Sequence, residues 1–265
     1  MKIAAIQMIS GPEVGPNLVM AESLLEEAAG EGAKLAVLPE YFPLIGASDA
    51  DRLRAREAEG SGPIQEFLSA TAKRLGLWLV AGSIPLQAND PSKLRNSTLV
   101  FDAEGNRVAR YDKIHLFGFR KGDEFYDESA TIEPGDKPVA LDTPAGRLGL
   151  GICYDLRFPE LFRSLGHVDL LALPAAFTET TGRAHWELLL RARAVENQCY
   201  VIASAQGGQH PNGRMTHGNS MIIDPWGVVL ARMDKGEGVV LAEIDPARIA
   251  EVRASLPALQ HRKIN

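Results

Sequence analysis

Cys153 closes the apolar run Leu148-Gly149-Leu150-Gly151-Ile152 and is followed by Tyr154-Asp155-Leu156-Arg157-Phe158-Pro159-Glu160. Pro159 suits the first turn of a helix, so the thiol falls at a strand-to-helix corner. A side chain there projects from the end of a sheet, where the next amides are free to hold an anion. Gly149 and Gly151 leave space behind it. The other cysteine, Cys199, follows a helical stretch over 184–198, leads into an apolar strand and reads as a small core residue. A nucleophilic thiol needs a base and something to stabilise the oxyanion it generates. Histidine is the usual base, yet none of the six histidines stands in a matching place. Glu40 does, because it ends Leu35-Ala36-Val37-Leu38-Pro39 just past a proline, whereas the similar run Leu170-Leu171-Ala172-Leu173-Pro174 is followed by Ala175. Lys113 lies in Tyr111-Asp112-Lys113-Ile114-His115, sharing a strand face with Tyr111 and His115. On its own it reads equally as a solvated strand lysine.

Other chemistries find no residues to carry them. The chain has no G-x-x-x-x-G-K-[ST] loop, no G-x-G-x-x-G after a strand and no G-x-S-x-G elbow. The histidines form no H-x-x-x-H pair and the two cysteines are far apart, so no metal site is expected.

The elements that must position these residues alternate. Leu18, Ala21, Leu24, Leu25 and Ala28 recur at helical spacing and predict a helix over 17–29, ended by Gly30 and Gly32. Residues 35–39 read as a buried strand, Pro63–Leu75 as a helix, 77–83 as a strand, and 97–110 as a hairpin turning at Asp102-Ala103-Glu104-Gly105. This order recurs. Trp78-Leu79-Val80-Ala81 matches Tyr200-Val201-Ile202-Ala203, and Asp102, Gly105, Ala109 and Arg110 match Asp224, Gly227, Ala231 and Arg232, every pair 122 residues apart. A fixed offset across a strand and its hairpin is a repeat signature. Each half reads β-α-β-α-β-β, the second starting in 144–155. Covering both faces of each sheet predicts a four-layer α-β-β-α sandwich of class α/β, with 1–265 as one domain.

Composition sets the surroundings. With 28 Lys and Arg against 34 Asp and Glu, the net charge of −6 gives no reason to bind nucleic acid. Two cysteines are too few for a disulfide framework, residues 1–8 read as a strand rather than a signal peptide, and a cytoplasmic location is expected. The longest apolar run, 170–177, is far short of the roughly 18 residues of a membrane helix, so no membrane association is expected.

Leu38-Pro39-Glu40, Asp112-Lys113-Ile114-His115-Leu116 and Gly151-Ile152-Cys153-Tyr154-Asp155-Leu156-Arg157-Phe158-Pro159-Glu160 resemble, in order and spacing, the three catalytic motifs of the carbon–nitrogen hydrolase, or nitrilase, superfamily. The resemblance implies an α-β-β-α sandwich, a homodimer or larger homo-oligomer, and a Glu-Lys-Cys triad at Glu40, Lys113 and Cys153. It matches the family's second glutamate to Glu128 and requires no cofactor. Thr180-Thr181-Gly182-Arg183, Arg191-Ala192-Arg193-Ala194 and Asp224-Pro225-Trp226-Gly227 are similar to the branch holding the omega-amidases and deaminated glutathione amidases, and Ala205-Gln206-Gly207-Gly208-Gln209-His210 leans to the second group. Arg183 stands where animal omega-amidases carry proline.

The chemistry so implied is hydrolysis of a small amide through a thioester. Glu40 takes the Cys153 proton, Lys113 favours the thiolate, and Lys113 with the Tyr154 N–H holds the oxyanion. Glu40 then protonates departing ammonia and activates the water that releases the acid. Substrates of the branch are ω-amides bearing carboxylates, for which Arg157 and Arg183 are candidate partners. Tyr41 and Phe177 are candidate pocket walls. A nitrilase, an acyl transferase and a non-catalytic metabolite-binding protein are the alternatives.

Overall fold

The computed structural model describes residues 1–122 and 124–264. Strand β1 (Lys2–Gln7) leads through helix α1 (Val14–Gly30) to β2 (Leu35–Val37). Helices α2 (Asp49–Arg54) and α3 (Pro63–Leu75) precede β3 (Trp78–Val80), β4 (Ile84–Gln87), and the hairpin of β5 (Leu94–Phe101) and β6 (Arg107–Asp112). A small hairpin, β7 (Gly118–Lys121) and β8 (Glu124–Asp127), runs into a 3₁₀ turn at Glu128–Ala130. Then come β9 (Ala140–Thr143), β10 (Gly146–Leu150), a second 3₁₀ turn at Cys153–Arg157, α4 (Pro159–Ser164), β11 (Leu170–Ala175) and α5 (Glu179–Asn197). Strands β12 (Tyr200–Ala205), β13 (Ser220–Ile223), β14 (Val229–Met233) and β15 (Gly238–Glu243) precede α6 (Pro246–Ser255). Among the described residues no helix is long and apolar enough to cross a membrane.

The first sheet runs β15-β1-β2-β3-β5-β4, with β6 also on β5, and the second runs β14-β13-β12-β11-β10-β9. The pleat separates the layers. Ile3 and Ala5 of β1, with Leu35 and Val37 of β2, face the core shared with β10 to β13. Ala4, Ile6, Ala36 and Leu38 face Ala21 and Leu25 of α1 and Leu68 and Ala72 of α3. On the far side, Trp186, Leu190 and Ala194 of α5 close over the second sheet. The molecule is therefore an α-β-β-α sandwich, and its parallel strands, buried on both faces, read as unbroken apolar runs for that reason.

The 122-residue offset is visible in the backbone register. Leu79 opposes Phe101 as Val201 opposes Ile223, and each hairpin has its register shift at the same place, after Val100 and after Ile222. One expectation needs amendment: each half carries both hairpin strands after its three parallel strands, one more than β-α-β-α-β-β, and the first half adds β4. The second half opens with β10, within 144–155, while β9 before it pairs antiparallel with β10 and β15 pairs with β1 in the first sheet.

Candidate active site

The chemically reactive residues gather where strands end. Glu40 follows β2 and Pro39 and is wholly enclosed, with 1% of its surface exposed. Its Oε1 accepts from Asn96 Nδ2 and from Lys113 Nζ, each at 2.9 Å, and its Oε2 accepts from the Ala176 N–H at 2.9 Å. Its own carbonyl is held from the second sheet by Gln206 Nε2 at 3.1 Å. Lys113 follows β6 and buries its ammonium between Glu40 and both oxygens of Glu128, at 3.0 and 2.8 Å. Glu128 also accepts from the Tyr41 hydroxyl and the Phe117 N–H, each at 2.7 Å.

These contacts set the charges. Burial works against the Lys113 ammonium, but the pull of Glu128 and Glu40 outweighs it and keeps the group protonated well above its ordinary range. Burial likewise opposes the Glu128 carboxylate, yet Lys113 and the surrounding donors hold its pKa below normal.

Cys153 opens the 3₁₀ turn after β10 with φ of 50°. That left-handed conformation is sparsely populated for a side-chain-bearing residue and costs on the order of 1–3 kcal/mol unless the surroundings impose it. The two glycines before it leave no void: a Cβ on Gly149 would come within 2.7 Å of Leu165, and one on Gly151 within 3.0 Å of Phe162. Their role is to let α4 pack against β10. The thiol is pushed well up by burial and by the Glu40 charge, with Lys113 opposing only partly. The resting sulfur is thus a protonated thiol rather than the thiolate expected from Lys113 alone.

A small, narrow cavity opens onto these groups, lined by Glu40, Glu128, Cys153, Tyr154, Arg157, Phe177 and Arg214. Arg157 lies over the Tyr154 and Phe177 rings and reaches His185 Nδ1 at 3.2 Å, rather than pairing with Asp155 or Glu160. Arg183 lies elsewhere: it sits exposed on α5, paired with Glu179 at 2.9 Å, and does not line the cavity. Tyr41 is buried beneath Glu128 with Arg52 over its ring, so it supports the site rather than walling it. The sequence reading passed over Asn96, the Ala176 amide and Arg214. Asn96 carried a signal, since Asn96-Ser97 repeats as Asn219-Ser220. Arg214 lies between β12 and β13, four residues past the Ala205–His210 motif and outside it.

Residues 2–254 match the family model described as carbon-nitrogen hydrolase. The chain belongs to the carbon–nitrogen hydrolase family. As a carbon–nitrogen hydrolase it acts on amide carbon–nitrogen bonds. It is 45% identical to a deaminated glutathione amidase of Synechocystis sp. (strain PCC 6803 / GT-S), over 98% of this chain and 97% of that one. Its fold superposes on Saccharomyces cerevisiae Nit3, a member of branch 10 of the nitrilase superfamily, with TM-score 0.88, 33% identity, and coverage of 100% of this chain and 97% of that one. It is also similar, with TM-score 0.80 and 27% identity over 97% and 98% of the two chains, to a mutant of the amidase from Nesterenkonia sp. AN1 that shows the result of Michael addition of acrylamide at the active site cysteine.

Proposed function

We propose that the chain is a cysteine-dependent amidase that hydrolyses a small carboxylate-bearing ω-amide, of the kind handled by deaminated glutathione amidases. The observation that carries this reading is that Glu40 and Glu128, bridged by the buried Lys113 ammonium, line the same cavity as Cys153. Glu40 accepts the thiol proton as sulfur attacks the carbonyl carbon, which suits a thiol that stays protonated until substrate arrives. Protonation neutralises Glu40 and weakens its hold on Lys113, freeing an N–H of the ammonium for the new oxyanion. The Tyr154 N–H, near the start of the 3₁₀ turn, is the second donor. Removing one such donor typically costs roughly 2.7–4 kcal/mol in the barrier. Glu40 then protonates the departing nitrogen, the C–N bond breaks and a thioester remains. A water that gives its proton to Glu40 attacks the thioester, and the acid leaves as the thiol is restored.

Substrate charge follows from the rim. Arg157 and Arg214 bring two guanidiniums to the cavity, and a carboxylate suits their paired N–H groups. The deaminated glutathione amidases at 38–45% identity support the same substrate class. The enzyme works as a homodimer, a reading supported by exposed apolar residues on α5 and beside β14. It works in the cytoplasm, where its two free thiols stay reduced; finding it in a secreted fraction would contradict this.

The test is a screen of deaminated glutathione and short ω-amides, following product acid by mass spectrometry with wild type and Cys153→Ala. Turnover by wild type alone is expected. Turnover surviving in Cys153→Ala would remove the thioester route, and inertness of wild type on every amide would favour a binding role.

A further inference from the structure

One wholly buried carboxylate belongs to neither the cavity wall nor the triad. Asp155 exposes none of its surface and receives four hydrogen bonds. Its Oδ2 accepts from the Ile152 N–H at 2.9 Å and the Tyr111 hydroxyl at 2.7 Å. Its Oδ1 meets the His115 N–H at 3.0 Å and His115 Nδ1 at 2.7 Å. Ile152 immediately precedes Cys153, while Tyr111 and His115 stand two residues before and two after Lys113. The His115 ring stacks on Phe158, 3.7 Å between centroids, at the far end of the same turn. One side chain therefore fastens the left-handed cysteine corner of the second sheet to the lysine strand of the first.

We infer that Asp155 is a positioning residue, setting the Cys153 sulfur against the Lys113 ammonium so that the oxyanion forms where the ammonium can reach it. This rests on the reading of Cys153 as nucleophile and Lys113 as oxyanion donor. Asp155 does not line the cavity, so it acts on geometry and not on substrate affinity. In Asp155→Asn the amide has one acceptor oxygen and one N–H₂ group for four donors, and a donor is left facing a donor. A displacement of about 1 Å at a reacting centre can lower a rate by roughly a hundredfold.

The experiment compares wild type, Asp155→Asn and Tyr111→Phe, normalising kcat to the folded fraction measured by near-UV circular dichroism so that misfolded protein is not counted. Expected are a fall of about a hundredfold in kcat per folded molecule for Asp155→Asn and about tenfold for Tyr111→Phe, with KM within about threefold. A merely structural Asp155 would lower the folded fraction and leave kcat per folded molecule unchanged, which overturns the inference. If Asp155→Asn does not fold, Tyr111→Phe decides alone, and wild-type kcat per folded molecule in that variant overturns it. If wild type turns over no amide, the amidase reading fails separately. The Cys153 alkylation rate in folded Asp155→Asn, expected to fall about tenfold, then decides on positioning, and an unchanged rate overturns it.

Discussion

At the scale of residues, burial decides what the proposed catalytic groups look like before substrate arrives. The Cys153 thiol and the Cys199 thiol are both enclosed and both pushed above the ordinary cysteine range by burial. Folded protein then keeps two protons that the unfolded chain releases above about pH 8.5, so stability present below that pH is lost as it rises. Each such thiol contributes a slope of up to about 1.4 kcal/mol per pH unit. Lys113 is shifted in the same direction from a higher starting value, so its contribution persists through this window. Urea unfolding under reducing conditions at pH 8, 9 and 10 is expected to show wild type losing stability about twice as steeply as Cys153→Ala. Equal slopes would mean that Cys153 is not held as a buried neutral thiol. The strand-end positions of Glu40 and Cys153 are legible in sequence because an acid or thiol closing an apolar run is conspicuous. The roles of Asp155 and Arg214 are not, because partners such as Tyr111 and Ala176 lie 44 and 38 residues away.

Among elements, the end of β2 shows how the backbone aims a side chain. Gly82 has φ of 56°, and a Cβ built on it would overlap the Pro39 carbonyl oxygen and come within 2.9 Å of the Leu38 carbonyl carbon. The chain after β3 thus presses on the two residues that carry Glu40, and no side chain fits between. Gly82→Ala is expected to destabilise the fold by about 1–3 kcal/mol, as overpacking does, and to push Glu40 off its three partners. A fall of roughly ten- to a hundredfold in kcat, larger than any change in KM, should accompany it in steady-state assays. Wild-type kcat in a folded Gly82→Ala protein would show that Glu40 tolerates the shift. Helix α3 was legible to the residue, since Pro63 opens it and Gly76 closes it in the left-handed conformation. Hairpin β7–β8 was not: Phe119 stands between Gly118 and Arg120, and the adjacent Phe125 and Tyr126 between Glu124 and Asp127, in strands of four residues too short for a period to emerge.

At the scale of the whole molecule, the repeat is completed by exchange. β9 follows the first half yet borders the second sheet, and β15 follows the second half yet borders the first. The fixed offset exposed the repeat but not this crossing, because β9 and β15 lie at sheet borders and are only partly buried, leaving weak apolar patterns. The other border of the second sheet, β14, has no strand beyond it among the described residues and carries exposed Leu230, with Trp226 and Val228 just before it. Gly227 in that turn packs against Val195 of α5, and Arg191 Nε donates to the Gly227 carbonyl at 2.8 Å, joining the turn to the helix. Leu188 and Val195 are exposed seven residues apart, hence on one face of α5. An open strand edge beside an apolar helix face is a liability in a free monomer. Glu187, Arg191 and Arg232 ring the patch with both signs of charge, as a surface that meets its own copy across a two-fold axis requires. Light scattering after size exclusion should therefore give twice the 28.7 kDa chain mass. Leu188→Glu with Val195→Glu, at positions a monomer leaves in water, should give a folded protein of single mass. A wild-type monomer at tens of micromolar would show that something other than a second copy covers this face.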